Sequence, residues 1–460
     1  MSMGNPFTVA PQTGLEIAGA RDAHDDRVST RRGLLAVAGV LTSGFAIAVG
    51  AAHTPALLPQ TIQLGIPASF SGVFSGAGLN LHSGGAIAAL ALLFASYWFV
   101  VSLSSQLSPR VVLMAIAALN LLILLGPPLV STDVFSYQAY ARMGALYGTN
   151  PYTNGPHAIM PDTVFPYIGA DWSYIPSAYG PIFTVFSYVL APLSVAASVF
   201  AYKTIAAVSC LGIVWLVWQC ARLRRTDPVK AVALVGLNPL LVVYGVGGGH
   251  NDLLMLVALV GGVYAFLLSR ERLGGGLSVI AAGIKLTAGI ILPFALAAGG
   301  PRRGRGRRDL LIGAGIGLAV VAILSLSLFG IGSIEMLKTI NKSQMEGDWQ
   351  TIPGFLSAAL GLVTVSHIVG YALAAVFLVI TFRLLRRVWH GTMDWIDGAG
   401  WATLLMLAAS SSMLPWYVGW LLPLAALGRD RRLVKGSLIM TGVVLAFQLV
   451  GYIPHASSLV

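Results

Sequence analysis

The chain has 460 residues, of which 56% are hydrophobic and only 10% charged, and its mean hydropathy is +0.80. Soluble domains carry roughly 25% charged residues, so a water-soluble fold is excluded. The net charge of +11 does not indicate nucleic acid, because the basic residues stand in short clusters between apolar runs, a membrane-topology signal.

A helix needs about 20 apolar residues to cross a roughly 30 Å hydrocarbon core, and long runs without strand alternation are helical in lipid. The expected fold class is therefore all-α, a polytopic transmembrane helical bundle of about 13 spans. Residues 1–33, rich in Asp, Gly and Thr, read as a disordered cytoplasmic tail and 34–460 as one polytopic domain. Ser29-Thr30-Arg31-Arg32-Gly33-Leu34-Leu35 resembles a twin-arginine export signal, but the polytopic remainder favours an uncleaved start-transfer anchor with its arginines inside. Apolar segments at 34–52, 84–103 and 111–130 then bring Ser131 out on the external side.

The stretch 131–178, dense in Tyr, Pro, Asn and Gly, is the longest without a span, and long structured loops are usually functional. Counting 181–197 as a span would place Arg222, Arg224 and Arg225 outside, so it is expected to lie in or dip into the outer leaflet. The run 202–220 goes inward, with Cys210 and Cys220 about 15 Å apart along it, too far for a disulfide. Next, 232–246 goes out, 247–252 turns and 253–268 returns. Arg270 and Arg272 precede 274–298, and Arg302, Arg303, Arg305, Arg307 and Arg308 follow it, so that segment must begin and end inside. Two short helices hinged near Lys285 satisfy this, a break tolerated where it lines a polar cavity. Segment 310–329 leads to a second external loop at 330–351, a membrane-hugging helix at 353–365, and an inward run at 367–382. The last runs are 401–412, 418–427 and 438–451.

This topology puts Asp133, Asp162, Asp171, Asp252, Glu335, Glu346 and Asp348 outside. Asp133 follows directly on a span, where a carboxylate at the hydrocarbon edge is commonly functional, although Ser131-Thr132-Asp133 also suits a helix cap. A helix beginning at Asp133 carries Tyr137 and Tyr140 on the same face, as the floor of a sugar site or as an interfacial aromatic belt. The turn Gly247-Gly248-Gly249-His250-Asn251-Asp252 allows close backbone approach and supplies donors and acceptors. It lacks the second His or Cys of a metal set, so no metal ligand is assigned and the use of a divalent ion stays open. Lys285 inside an apolar run either meets a phosphate or snorkels, and Lys338 and Lys342 would suit an anionic lipid head group. Arg142 lies nine residues after Asp133, about 180° around the helix, and should point away.

Taken in order, Asp133, the Tyr-rich stretch through Gly148-Thr149-Asn150-Pro151-Tyr152, Tyr179-Gly180-Pro181, Gly249-His250-Asn251-Asp252 and Gly283-Ile284-Lys285 resemble the GT-C superfamily. More narrowly they resemble the polyprenol-phosphomannose-dependent alpha-(1→6)-mannopyranosyltransferases of actinobacterial envelopes. The resemblance runs over about 111–293 and departs from many superfamily members in having two spans before the one leading to Asp133. It implies a multi-pass cell-membrane enzyme with its active site on the extracytoplasmic face. The reaction implied is inverting transfer of a sugar, expected to be mannose, from a polyprenyl-phosphate donor to a glycan or glycolipid acceptor, with Asp133 as base. His250, Asn251, Asp252, Lys285 and Lys342 are the expected substrate-binding residues beside Tyr137 and Tyr140, and no cofactor is implied. The alternative class is a lipid-linked sugar transporter or flippase, but here the acids gather at helix ends and the halves do not match.

Overall fold

The computed structural model describes residues 13–300, 304–346, 351, 354–355 and 363–452. Arg302, Arg303, Asp348, residues 1–12 and most of the expected helix at 353–365 lie outside the described residues, as does the Glu346 side chain. Among the described residues all regular structure is helical and none is strand.

Among the described residues six helices are long and apolar enough to cross a membrane: Val28–His53, His82–Ser102, Val195–Arg224, Gly304–Lys342, Ile368–Trp389 and Arg431–Val450. A bent pair, Pro228–Gly236 with Leu240–Val246 at 45°, makes a seventh. The expectation of about 13 spans is corrected by this count. It included apolar helices such as Pro109–Leu125, Asp252–Leu267, Leu286–Ala297, Trp395–Ala409 and Pro415–Leu427, whose 10–17 residues fall at or below the length that crosses unaided.

The first helix, α1 (Thr13–Gly50), begins upstream of position 34 and packs with α2 (His82–Ser102) and α3 (Pro109–Leu125). Then come α4 (Asp133–Ala145) and α5 (Pro181–Tyr188), the latter only eight residues long and too short to cross. Helix α6 (Val195–Arg224) carries Tyr202 and Lys203 at one end and Arg222 and Arg224 at the other. It packs on α3, α7 (Pro228–Gly236) and α8 (Asp252–Leu267). Helix α9 (Glu271–Ile284) stops at Lys285, whose extended backbone (φ −149°, ψ 120°) is the expected break. The chain resumes as a short 3-10 turn and α10 (Ile291–Ala297).

The remaining helices are α11 (Gly304–Phe329), α12 (Met336–Glu346), α13 (Val363–Trp389), α14 (Trp395–Ala409), α15 (Leu422–Leu427) and α16 (Arg431–Val450). The starts of α7, α14 and α16 are capped by Asp227, Asp394 and Asp430, each accepting backbone N–H groups. Asp394 also pairs with Arg224 at 3.0 Å, and Arg272 with Asp309 at 2.9 Å. The capping carboxylates and the arginine clusters thus share one end of the bundle.

Candidate active site

At the opposite end, α3 stops at Leu125 and is followed by Gly126, Pro127 and Pro128. Helix ends leave carbonyls without partners, and inside a membrane protein no water supplies them. Here the Lys203 ammonium, 1% exposed, donates to the carbonyls of Ile123 (3.0 Å), Gly126 and Pro127 (2.8 Å). The next residues turn sharply, with Val130 at φ +58°, an uncommon conformation for a β-branched residue. Its N–H donates to the Leu57 carbonyl and that of Leu129 to the Gly247 carbonyl, both at 3.0 Å. The second of these bonds ties the Asp133 segment to the glycine-rich turn.

Thr132, not Asp133, occupies the cap position of α4, and neither side chain caps the helix. The Asp133 carboxylate is free for other contacts and remains one-fifth exposed, with Oδ2 3.4 Å from His250 Nδ1. Burial alone would raise its pKa. The hydrogen bond and charge interaction with His250, then the charge of Lys285 and a hydrogen bond from Ser131, outweigh that and hold it below the ordinary carboxylate value.

The second acid is set by a broken span. Asn238 Oδ1 accepts the N–H groups of Leu240 and Leu241, while its amide donates to Tyr97 Oη (3.2 Å) and Thr441 Oγ1 (3.0 Å). A π-helix over Leu240–Val246 then delivers the turn. A Cβ on Gly248 would meet His250 Nε2 at 2.6 Å, and Gly249 has φ +67°, so both positions require glycine. Asp252, 1% exposed, receives Lys285 Nζ on both oxygens at 2.8 and 2.9 Å, and Trp420 Nε1–H at 2.6 Å. The Lys285 ammonium also lies 4.4 Å from the Tyr417 ring centre and 5.1 Å from that of Trp420.

The break at Lys285 is braced from the first large loop. Asn150 donates to the Phe329 carbonyl at the end of α11 (2.9 Å), and Tyr152 donates to the Tyr179 carbonyl (2.8 Å). Gly180 N–H then donates to the Ile284 carbonyl at 3.0 Å. A Cβ on Gly180 would collide with the Gly283 carbonyl oxygen.

Asp133, Tyr137, His250, Asn251, Asp252 and Lys285 therefore converge. Tyr137 Oη is 3.3 Å from both His250 Nδ1 and Asn251 Oδ1, with its ring edge-on to those of Tyr179, Phe183 and Tyr202. Tyr140 is also buried but donates to the Ile175 carbonyl at 2.7 Å, a loop contact. Lys342 is exposed on α12. Arg142 points away as expected, into Asp162 (2.6 Å), Thr163 and the Leu193 carbonyl. Sequence reasoning passed over Lys203 and the segment Pro415–Trp420, whose Trp416 stacks on His250 with ring centres 3.5 Å apart and planes at 20°. Lys203 carried a signal, a lone lysine at the edge of an apolar run, whereas three aromatics in five residues between two apolar segments do not separate a site from an interfacial belt.

Chemically, the two carboxylates differ. Asp252 is neutralised by Lys285, whereas Asp133 is accessible and keeps oxygen lone pairs for a proton.

Residues 36–299 match the family model described as alpha-(1→6)-mannopyranosyltransferase, N-terminal domain, and residues 178–446 match glycosyltransferase family 87. The chain is 30% identical over 345 residues to alpha-(1→6)-mannopyranosyltransferase A of Mycobacterium tuberculosis, covering 67% of this chain and 65% of that protein. It is 27% identical over 347 residues to alpha-(1→6)-mannopyranosyltransferase B of Corynebacterium glutamicum, covering 66% and 56%. The chain thus spans less than two thirds of the length of these relatives. No solved structure matches it significantly.

Proposed function

The chain belongs to the alpha-(1→6)-mannopyranosyltransferase family, and from that membership and the geometry of Asp133 we propose that it is a membrane mannosyltransferase using a polyprenyl-phosphate donor. The observation that carries the reading is the accessible Asp133 carboxylate, oriented by His250 and set beside the Asp252–Lys285 pair. In the proposed reaction Asp133 takes the proton of an acceptor hydroxyl as that oxygen bonds to the anomeric carbon. The bond from that carbon to the donor phosphate breaks on the opposite face, and polyprenyl phosphate leaves. An inverting step that makes an α-linkage requires a β-linked donor.

The leaving phosphate needs positive charge or hydrogen-bond donors. Lys285 is the group proposed for this, because its charge acts on Asp133 as well as Asp252 and its side chain keeps 16% exposure. Lys342, on the exposed helix after α11, is proposed to contribute at longer range to the head group.

The active site is proposed to face the extracytoplasmic side, since the arginine clusters lie at the other end of the bundle and basic loops stay inside. That placement requires the short helices α3, α8 and α14 and the run Pro415–Leu427 to carry the chain from one end of the bundle to the other, packed against their longer neighbours, while α9 and α10 turn back at Lys285. Single-cysteine labelling tests this: a cysteine at Arg305 should label from the cytoplasmic side and one at Lys342 from outside. Labelling of position 305 from outside overturns the re-entrant reading of Lys285.

The decisive experiment incubates the purified full-length chain, in lipid, with separate polyprenyl-phosphate hexoses and short α-(1→6)-linked mannose oligosaccharides. Elongation from the mannose donor is expected. Protein that moves intact donor across a bilayer while elongating nothing is instead a flippase.

A further inference from the structure

Three buried nitrogen atoms on His250 and the side chains next to it have no hydrogen-bond partner among the described residues: His250 Nε2, Asn251 Nδ2 and Trp416 Nε1. They belong to side chains that touch or are consecutive. Trp416 lies flat on the His250 ring, and Asn251 follows His250 with its Oδ1 already taken by the Tyr137 hydroxyl. The three residues are 1%, 3% and 4% exposed for His250, Asn251 and Trp416. Proteins keep few buried polar atoms unpaired, and those that persist call for an explanation such as a ligand.

The chemistry of these atoms narrows that ligand. Indole N–H is a donor only, and the free half of a carboxamide is also a donor. Both are neutral, while the nearby cation, Lys285, is the group suited to a phosphate. Neutral donors close to packed aromatic rings suit hydroxyl oxygens. We propose that Trp416 Nε1–H and the Asn251 amide, together with His250 Nε2, form a subsite that reads hydroxyl groups of the transferred hexose, with Trp416 as a specificity-determining residue. This rests on the mannosyl-transfer reading above and adds to it the side chains that select the sugar.

The test pairs Trp416→Phe, which keeps a ring over His250 but lacks the N–H, with synthetic polyprenyl-phosphate mannose and its 2-, 3-, 4- and 6-deoxy analogues. Transfer by the unaltered protein from the parent donor is measured first, and its failure speaks against the mannosyltransferase reading itself. With transfer in hand, Trp416→Phe is expected to lower kcat/KM about tenfold with the parent donor, the size of one neutral hydrogen bond. That penalty should vanish with the one deoxy donor that lacks the partner hydroxyl. A penalty equal across all donors, or no penalty at all, overturns the proposal. If the variant does not accumulate as folded protein, the unaltered protein decides. It must discriminate at least tenfold against one deoxy donor, and equal use of all five sinks the hydroxyl-reading subsite.

Discussion

Among the described residues two lysines stand inside the helix bundle, and their surroundings differ in kind. Lys203 is enclosed by three backbone carbonyls at the end of α3, and its ion–dipole contacts match its three donors one to one. Lys285 stands at a helix break, paired with a carboxylate, facing two aromatic rings and partly exposed. Carbonyls that belong to the fold cannot be exchanged for a substrate without undoing the helix end. A carboxylate can share its cation with an incoming phosphate. Burial of a charge therefore separates structural from functional roles only when the partner is examined.

Both lysines serve an acid: Lys203 holds the turn that leads to Asp133, and Lys285 holds Asp252. The largest expected effect comes from the acid that neither lysine pairs with directly. Asp133→Asn should cut transfer about 100-fold or more while leaving thermal stability near normal, because its carboxylate caps nothing and general base catalysis is worth 10² to 10⁴. An Asn variant working at close to the normal rate removes Asp133 as base. The base must be ionised, and Asp133 is held below the ordinary carboxylate value, so activity should fall only as pH drops through that lowered pKa. His250→Phe removes the main lowering contacts and should move the acid limb of the pH–rate profile upward. An unmoved limb would show that a different group titrates.

Next in size is Lys285→Met, expected to weaken donor use about 10- to 100-fold, as for a hydrogen bond to a charged group. Removing one partner of a buried pair also destabilises by roughly 3–5 kcal/mol. The double variant Asp252→Asn with Lys285→Met should recover stability without recovering donor use. Recovery of both would make the pair purely structural and erase the contrast with Lys203.

Lys203→Met should behave in the opposite way, costing about 2 kcal/mol of stability at the average strength of membrane-protein hydrogen bonds. The protein that remains folded should transfer within about threefold of normal, and a donor-specific loss there would break the comparison. The smallest effect is expected at Lys342→Gln, an exposed position where stability should change by less than about 0.5 kcal/mol and donor affinity only modestly. Titration of donor against salt concentration measures that contribution.

Much of the site was legible because membrane energetics restrict where ionisable groups can stand. Asp133 and Asp252 were marked by charge at the edge of apolar runs and Lys285 by charge inside one, and the break at Lys285 followed from basic clusters on both sides of one segment. The opposed direction of Arg142 followed from helical periodicity alone. The aromatic wall at Pro415–Trp420 was not legible, because tryptophan and tyrosine between apolar segments also describe an interfacial belt. Burial of Trp416 against His250 is a tertiary fact with no local signature. The number of spans misled because hydropathy does not show whether a short apolar helix crosses alone or leans on neighbours.

The bond from Gly180 N–H to the Ile284 carbonyl also has a consequence for biogenesis. Two half-helices threaded into a bilayer would leave polar backbone facing acyl chains at the kink until a partner arrives. That partner lies about a hundred residues earlier in the chain, so it leaves the ribosome first. On the re-entrant reading proposed above, synthesis in this direction lets the loop fold before the segment that needs it is inserted. A circularly permuted chain that made 271–297 before the loop would reverse the order and expose the kink to quality-control proteases.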